Sequence, residues 1–327
     1  MAQMMYRDAL RAALMEELTR DPKVFVIGEE VGKYGGAYAV TKGLFEKFGA
    51  ERMVDTPISE ASFVGLGIGA AISGLRPVVE LMYVDFFGMC MDMIANQMAK
   101  VRYMTGGQVS VPMVLRTQGG TGRSAGAQHS QSLEAWVAHI PGMRVVMPAT
   151  PADAKGLLKT AIRSNDPVVF IEHKALYAMK GEVPDGEYLI PFGKANVVRA
   201  GDALTIVTYS RMVHLALEAA EALAKEGIEA EVIDLRTLNP LDMDTVLTSV
   251  KKTQRAIVLN EAHRTAGFCS ELAARITEET FDILQAPVAR IAAKDVPVPA
   301  TVLEKLSIPS VEEICATARS LKQRRRG

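Results

Sequence analysis

The feature that most constrains the fold is an alternation of short β-branched runs with longer segments of helical periodicity along nearly the whole chain. This alternation is typical of parallel sheets covered by helices, because two parallel strands need a crossover segment between them. The sequence therefore predicts an α/β fold. The strands predicted in the first half are residues 24–27, 77–81, 111–116, 144–147 and 168–172.

The alternation lapses once, in a stretch that contains proline, glycine and charges but no sustained period of 2 or 3.6. A chain of 327 residues also exceeds the size at which one hydrophobic core usually stops growing. We therefore predict a first domain over 1–180, a linker over 181–198 and a second α/β domain over 199–327. The closing KQRRRG is expected to be a solvated helix end.

Composition excludes several classes of protein. The formal charge is -1, which does not suggest a nucleic-acid or anionic-membrane partner. The three cysteines, Cys90, Cys269 and Cys315, are too widely spaced for a disulfide framework or a structural zinc site. The N-terminus carries acids, unlike a secretory signal, and no apolar run approaches the roughly 18 residues of a membrane span. We expect a soluble, cytoplasmic protein.

Two glycine-containing motifs imitate well-known sites. Gly65, Gly67 and Gly69 resemble a dinucleotide-binding fingerprint, but the required buried strand does not precede them, so we interpret them as packing positions. The GRSAG motif around Ser124 resembles a nucleophile elbow, yet it does not follow directly on a strand. The five histidines show no tight ligand spacing, so a zinc site is not expected.

Three residues are positioned to carry chemistry. Glu60 lies where an extended, proline-containing segment enters a small-residue helix, and its apolar surroundings favour a proton shared with a basic nitrogen; a first-turn glutamate stabilised by the helix dipole is the alternative. His129 follows a glycine-rich loop and can exchange protons near neutral pH, or simply bond its neighbours at a helix entry. Phe86 lies just beyond a strand and, taken alone, would be assigned to core packing.

Three long stretches carry a resemblance to a known family: DTPISEASFVGLGIGAAISGLRPVVELM, AGAQHSQSLEAWVAHIPGMRVVMPATPADAKGLL and DPVVFIEHKALY. They closely resemble the β subunits of the pyruvate, branched-chain 2-oxo acid and acetoin dehydrogenase complexes. The resemblance runs from the first helix to the last. It implies a thiamine-diphosphate-binding, pyrimidine-type domain with a parallel sheet flanked by helices, followed by a transketolase C-terminal-like α/β domain.

The resemblance also assigns roles to residues. Glu60 would hydrogen-bond N1' of the cofactor's aminopyrimidine, Phe86 would stack on that ring, and Ile58 and Met82 would line its pocket. His129 would serve proton transfer while the acyl group passes to lipoamide. Met82 replaces a polar residue found in some relatives.

The same resemblance implies partners and ions. The chain contains no GDG motif, so the diphosphate and its Mg²⁺ would be held by an α subunit in an α2β2 heterotetramer, with the β chain alone a symmetric, inactive dimer. The lipoyl acyltransferase E2 would dock through its peripheral-subunit-binding domain. A structural K⁺ would be held largely by backbone carbonyls, at positions that correspond to Met113, Ala161, Ile162, Ser164 and Asp166, where Ser164 replaces an acid seen in some relatives.

The segment LYAMKGEVPDGEY resembles acetoin dehydrogenase β subunits more than pyruvate ones, so acetoin is the first expectation for the substrate and pyruvate the second. Two rival hypotheses stay open. One is a fragment of a transketolase-like or deoxyxylulose-phosphate-synthase-like enzyme. The other is a non-catalytic subunit that only scaffolds the acyltransferase core, in which case Glu60 would be dispensable for activity.

Overall fold

A computed structural model of the chain describes residues 1–324, so the last three residues of the KQRRRG segment lie outside the described part. The chain divides into two compact units: Met1–Gly119 with Trp136–Phe192, and Gly120–Ala135 with the described residues from Gly193 onward. The domain limits of 1–180, 181–198 and 199–327 remain our proposal. The structure adds that residues 120–135 pack with the second unit.

The first unit is built on a parallel sheet with the strand order β6-β7-β5-β4-β2-β3. Short strands β1 and β8 form a separate antiparallel pair. The strands are β1 (Ala2–Met5), β2 (Val24–Gly28), β3 (Met53–Asp55), β4 (Arg76–Leu81), β5 (Val114–Gly119), β6 (Arg144–Val146), β7 (Val168–His173) and β8 (Lys180–Val183).

Helices connect these strands and cover the sheet, with α1 packed on α7 and α3 packed on β4. A 3₁₀ turn (Val84–Phe86) leads into α4, and a π-helical turn (Met93–Met98) follows α4. The helices are α1 (Tyr6–Arg20), α2 (Leu44–Phe48), α3 (Glu60–Ile72), α4 (Phe87–Asp92), α5 (Val101–Met104), α6 (Glu134–Ala138) and α7 (Pro151–Arg163).

In helix α3, Gly67 allows close packing of the helix against the sheet. A Cβ on Gly67 would come within 2.5 Å of Val79 Cγ2 on the neighbouring strand β4, so glycine lets the helix lie directly on the sheet. This contact accounts for Gly67 without a nucleotide.

The second unit has its own hydrophobic core and a five-stranded sheet ordered β14-β13-β10-β11-β9, in which only β9 is antiparallel. Its strands are β9 (Asn196–Arg199), β10 (Leu204–Thr208), β11 (Ala230–Asp234), β12 (Thr237–Asn239), β13 (Ala256–His263) and β14 (Ala289–Ala293). Its helices are α8 (Met212–Ala224), α9 (Met243–Thr253), α10 (Phe268–Thr280) and α11 (Val311–Gln323), with a 3₁₀ turn over Thr301–Leu306.

The structure corrects one predicted strand. The strand expected over 111–116 is displaced toward the C-terminus, to Val114–Gly119. Pro112 has no N–H to donate to a sheet ladder, so the apolar Val111 and Met113 lie before the strand rather than in it. The consequence is that three polar or small residues after Arg116 belong to the strand, which brings its end closer to the loop of residues 120–135.

Candidate functional site

The carboxyl ends of strands β2, β3 and β4 meet at one edge of the first unit's sheet, because the three strands are parallel and in register. Glu29 directly follows β2, Met82 directly follows β4, and Glu60 opens the helix that follows β3. In parallel α/β sheets this edge is where ligands bind. The sheet therefore brings three polar or polarisable side chains to the edge that the fold uses for ligands.

Glu60 is the first residue of α3 and is buried, with 8% of its surface exposed. The residue before it, Ser59, makes no side-chain cap but exchanges a hydrogen bond with Ser62 at 2.7 Å. Within residues 1–324 the Glu60 carboxylate has neither a hydrogen-bond nor an ion-pair partner. The Glu60 carboxylate is therefore free to accept a hydrogen bond from a ligand bound at this edge.

A second carboxylate, Glu29, lies close enough to Glu60 to feel its charge. Burial raises the pKa of Glu29, and the neighbouring Glu60 and Glu30 carboxylates raise it further. Sequence reasoning missed Glu29, although its position immediately after a fully buried strand was a usable signal. Two acids at one edge, with no cation bound to either among the described residues, form a site suited to holding a proton or a protonated nitrogen.

Phe86 is connected to this acidic pair through Cys90. The Cys90 thiol donates to the Phe86 carbonyl oxygen at 3.7 Å, and burial together with the Glu60 charge raises the pKa of Cys90 to about 12. Phe86 is half-buried and follows Tyr83, whose backbone φ of 79° and tilted ring contact at 6.3 Å set the turn. Cys90 thus lies near the Glu60 charge and bonds the backbone of Phe86; the joint role of Glu60 and Phe86 in one site stays a prediction.

Ile58 and Met82 border the same edge with different exposure. Ile58 is 81% exposed, which is unusual for a large aliphatic side chain, whereas Met82 is half-buried at the end of β4. An exposed isoleucine two residues before a buried, unpartnered carboxylate provides apolar surface for a ring bound to that carboxylate.

His129 belongs to the second unit. It lies half-buried in the loop of residues 120–135, where its backbone N–H donates to the Gly126 carbonyl oxygen at 3.2 Å. The same loop carries Ser124 of the GRSAG motif. Ser124 lies five residues beyond the end of β5 and its N–H points to Glu304, so the loop is not a nucleophile elbow.

The five positions considered for K⁺ lie at the opposite, amino-terminal edge of the first unit's sheet, before β5 and β7. The carbonyl oxygens of Ile162 and Ser164 both accept from the Arg76 guanidinium at 3.0 Å, and the Ala161 carbonyl caps the end of α7. The Asp166 carboxylate pairs with Arg102 and Arg144, each at 2.7 Å. Carbonyl groups at a helix C-terminus attract cations. The Arg76 guanidinium already donates hydrogen bonds to two of them, those of Ile162 and Ser164.

Residues 1–324 contain neither a protein-only metal cluster nor a membrane-spanning helix. No group of three or more His, Cys, Asp and Glu side chains is arranged to hold a metal ion. No helix among the described residues has both the length and the apolar character needed to cross a membrane. The three cysteines are free and buried.

Comparison with known domains defines the class of protein. Residues 2–180 match the transketolase pyrimidine-binding domain and residues 193–314 match the transketolase C-terminal domain. The solved structure of a split-gene transketolase, an inactive β4 tetramer, has a similar fold, with a TM-score of 0.80, 23% identity and 99% of each chain covered. The chain is therefore a transketolase-type protein with two α/β domains.

Curated relatives narrow this class. The chain is 51% identical over 322 residues to the β subunit of acetoin:2,6-dichlorophenolindophenol oxidoreductase of Cupriavidus necator, with 95% of each chain covered. It is 51% identical over 317 residues to the mitochondrial pyruvate dehydrogenase E1 subunit beta-1 of Arabidopsis thaliana, covering 95% of this chain and 87% of the relative. The Rickettsia bellii pyruvate dehydrogenase E1 β subunit is 50% identical over 313 residues, covering 95% and 96%.

The chain belongs to the family of β subunits of the thiamine-diphosphate-dependent pyruvate and acetoin dehydrogenase E1 components. Membership in this family of oxidoreductase β subunits implies that the chain has an E1 α partner in a heterotetramer.

Proposed function

We propose that this chain supplies the pyrimidine half of an E1 active site, with Glu60 hydrogen-bonded to N1' of the aminopyrimidine of thiamine diphosphate. The observation that carries the proposal is the largely buried residue Glu60 at a ligand-binding sheet edge, whose carboxylate has no hydrogen-bond or ion-pair partner among residues 1–324. A protonated ring nitrogen would satisfy that carboxylate and keep a proton near it. Glu29, whose raised pKa favours the protonated form, would limit the repulsion between the two acids.

The neighbouring apolar residues orient the ring. Phe86 would stack on the aminopyrimidine, while Ile58 and Met82 would line its pocket. The half-buried Phe86 turn and the 81% exposed Ile58 support this arrangement, since both present apolar surface at the edge that holds Glu60. When bound, thiamine diphosphate supplies a carbon nucleophile and an electron sink for the cleavage of a bond beside a carbonyl group.

His129 would transfer protons while the acyl group leaves the site. A half-buried imidazole in a loop keeps access to solvent and can pass a proton between the site and water. Glu60 and His129 are thus the proposed catalytic residues.

The remaining parts of the enzyme would come from partners. Because the sequence has no GDG motif, the diphosphate and Mg²⁺ are assigned to the α subunit, and the β chain alone, as a homodimer, is expected to be inactive. The lipoyl acyltransferase E2 would accept the acyl group and bind through its peripheral-subunit-binding domain. We propose a cytoplasmic location.

A K⁺ ion is proposed at the carbonyl oxygens of Met113, Ala161, Ile162 and Ser164 with Asp166 nearby. Each carbonyl has a second lone pair beyond the one that Arg76 or a backbone N–H uses. Replacing K⁺ by Na⁺ in the activity and unfolding assays is expected to lower the unfolding temperature; identical curves would contradict the site.

The substrate is proposed to be acetoin, which would be cleaved with transfer of an acetyl group to lipoyl-E2, ahead of pyruvate, which would be decarboxylated. The relatives support both substrates, since the acetoin and pyruvate β subunits named above share 51% identity with this chain. The preference for acetoin rests on the segment LYAMKGEVPDGEY.

One reconstitution tests these proposals. The chain is purified with its α subunit, and thiamine-diphosphate-dependent dye reduction is followed with acetoin, pyruvate and branched 2-oxo acids. Glu60→Gln should lower turnover roughly 10²–10⁴-fold, the range of a positioned proton-transfer group, while α2β2 assembly is unchanged. Exposed Glu51→Gln is the matched control and should retain full activity. Undiminished turnover in Glu60→Gln would favour the scaffold hypothesis, and turnover by the β chain alone would refute the half-site.

A further inference from the structure

The loop of residues 120–135, called here the His129 loop, has a backbone shaped to bind anions. Its first half alternates residues of positive φ: Gly120 at 82°, Gly122 at 97°, Ser124 at 54° and Gly126 at 78°. Alternation of left-handed with other conformations turns successive backbone N–H groups toward a common concavity, which binds negative charge. In this chain the charge comes from two glutamates that lie far away in sequence.

Glu261, at the end of β13, accepts from the Thr121 N–H at 2.6 Å. Glu304, in the 3₁₀ turn Thr301–Leu306, accepts from the Gly122 N–H at 2.8 Å and, through its other oxygen, from the Ser124 N–H at 3.3 Å. Both carboxylates belong to the second unit, and both are buried, with exposed fractions of 8% and 5%. Hydrogen bonds from backbone N–H groups to a carboxylate are among the stronger ones in proteins.

The two glutamates differ in what else holds them. Glu261 also pairs with Arg211 at 3.4 Å, and the same guanidinium donates to the Thr121 hydroxyl at 2.8 Å. Glu304 has no cation: among residues 1–324 its carboxylate is bonded only to the two N–H groups of the His129 loop. If the loop moved away, the Glu304 carboxylate would lose both of its hydrogen bonds, and no cation would replace them. Glu304 therefore depends on the His129 loop for all of its hydrogen bonds, whereas Glu261 would keep its ion pair with Arg211.

We propose that Glu304, assisted by Glu261, is a positioning residue that holds the His129 loop in the conformation that the reaction requires. Glu304 touches neither cofactor nor substrate in this role, since it acts on the backbone of the segment that carries His129. The inference rests on the proposed role of His129 for its effect on turnover, but the anchoring of the loop is independent of that role.

Arg123 makes the anchoring measurable, because this exposed residue lies between the two N–H groups that Glu304 binds. In the reconstituted α2β2 complex, limited trypsin digestion followed by mass spectrometry measures cleavage between Arg123 and Ser124. Glu304→Gln keeps the size of the side chain but replaces one acceptor by an NH₂ group. We expect the cleavage rate to rise roughly tenfold, because cleavage follows the population of the open loop. Exposed Glu279→Gln on α10 is the control and should leave the rate unchanged.

Turnover separates a positioning role from a merely structural one. Glu304→Gln should lower kcat while KM for the organic substrate and the unfolding temperature stay close to wild type. In a His129→Ala background the same substitution should cause no further loss of turnover but should still accelerate cleavage after Arg123. Equal losses in both backgrounds would show that Glu304 does not act through His129, and an unchanged cleavage rate would refute the anchoring itself.

Two further outcomes keep the inference separate from the proposed function. If His129→Ala leaves turnover intact while Glu60→Gln abolishes it, the positioning role is overturned and the E1 assignment stands. If Glu304→Gln does not assemble, hydrogen exchange in the wild-type complex gives the test: the amides of Thr121, Gly122 and Ser124 should exchange more slowly than those of exposed Ala125 and Ala127. Equal exchange along the loop would overturn the anchoring.

Discussion

Four glutamates lie near the carboxyl edge of the first unit's sheet, and they form two pairs with opposite surroundings. Glu80 and Glu172 lie on either side of Arg116, on strands β4, β7 and β5. The guanidinium donates to both carboxylates, and the bond from its Nη2 to Glu172 measures 2.8 Å. Glu60 and Glu29, by contrast, have each other's negative charge nearby and no cation bound among the described residues.

The contrast separates a structural from a functional use of buried charge. The Glu80 and Glu172 carboxylates share the Arg116 cation within the sheet, and Tyr177 donates a further hydrogen bond to Glu172. The Glu60 group is left incomplete at the edge where ligands bind. Buried charge that a protein does not compensate within itself costs stability and is retained where function needs it.

Removing the cation from the compensated pair should have the largest effect on stability. Arg116→Met leaves two buried carboxylates without a cation, so we expect a loss of roughly 3–5 kcal/mol in unfolding free energy, measured by urea titration. The triple variant Arg116→Met, Glu80→Gln, Glu172→Gln should recover most of this loss, because the uncompensated charges are gone. A loss under about 1 kcal/mol for Arg116→Met alone would mean that Arg116 is not needed to compensate the Glu80 and Glu172 charges.

Neutralising one acid of each pair should give effects of opposite sign. Glu80→Gln breaks a charge-assisted bond to Arg116 and should lower the unfolding free energy by roughly 1–3 kcal/mol. Glu60→Gln removes an unpartnered charge and its repulsion with Glu29, so stability should be unchanged or slightly higher even though activity is lost. Thermal unfolding of the two variants measures the difference; equal destabilisation would show that Glu60 has a structural partner.

The smallest effect concerns pH. The native-state pKa of Glu29 is raised by burial and then by the Glu60 charge, so the folded chain binds this proton more tightly than the unfolded chain. The stability it contributes is fully present below the unfolded pKa and is lost as pH rises through the native one. The unfolding temperature of Glu29→Gln relative to wild type should therefore increase as the pH rises above about 4, the ordinary glutamate range. Glu51→Gln should show no such trend. If the difference in unfolding temperature between Glu29→Gln and wild type did not change with pH, the proposed repulsion between Glu29 and Glu60 would be wrong.

Prediction from the sequence succeeded where the signal was local. The alternation of strands and helices predicted the α/β fold, and the small residues after Glu60 predicted a helix that packs closely on the sheet, which the contact of Gly67 with Val79 confirms. The displaced start of β5 shows the limit of apolar patterns: Val111 and Met113 are buried as strand residues would be, but the strand begins only at Val114, after Pro112, which has no N–H to donate.

The sequence by itself determined the fold class, the family and the identity of the residues proposed for the cofactor, because periodicity and long motifs are properties of neighbouring residues. Only the tertiary structure decided which of the glutamates are compensated and which are not. Glu60 and Glu29 approach because parallel strands end at one edge, and Glu304 meets Gly122 although 182 residues separate them in sequence. Such pairings arise from the packing of distant segments, and hydrogen bonds between residues so far apart leave no periodic trace in the chain.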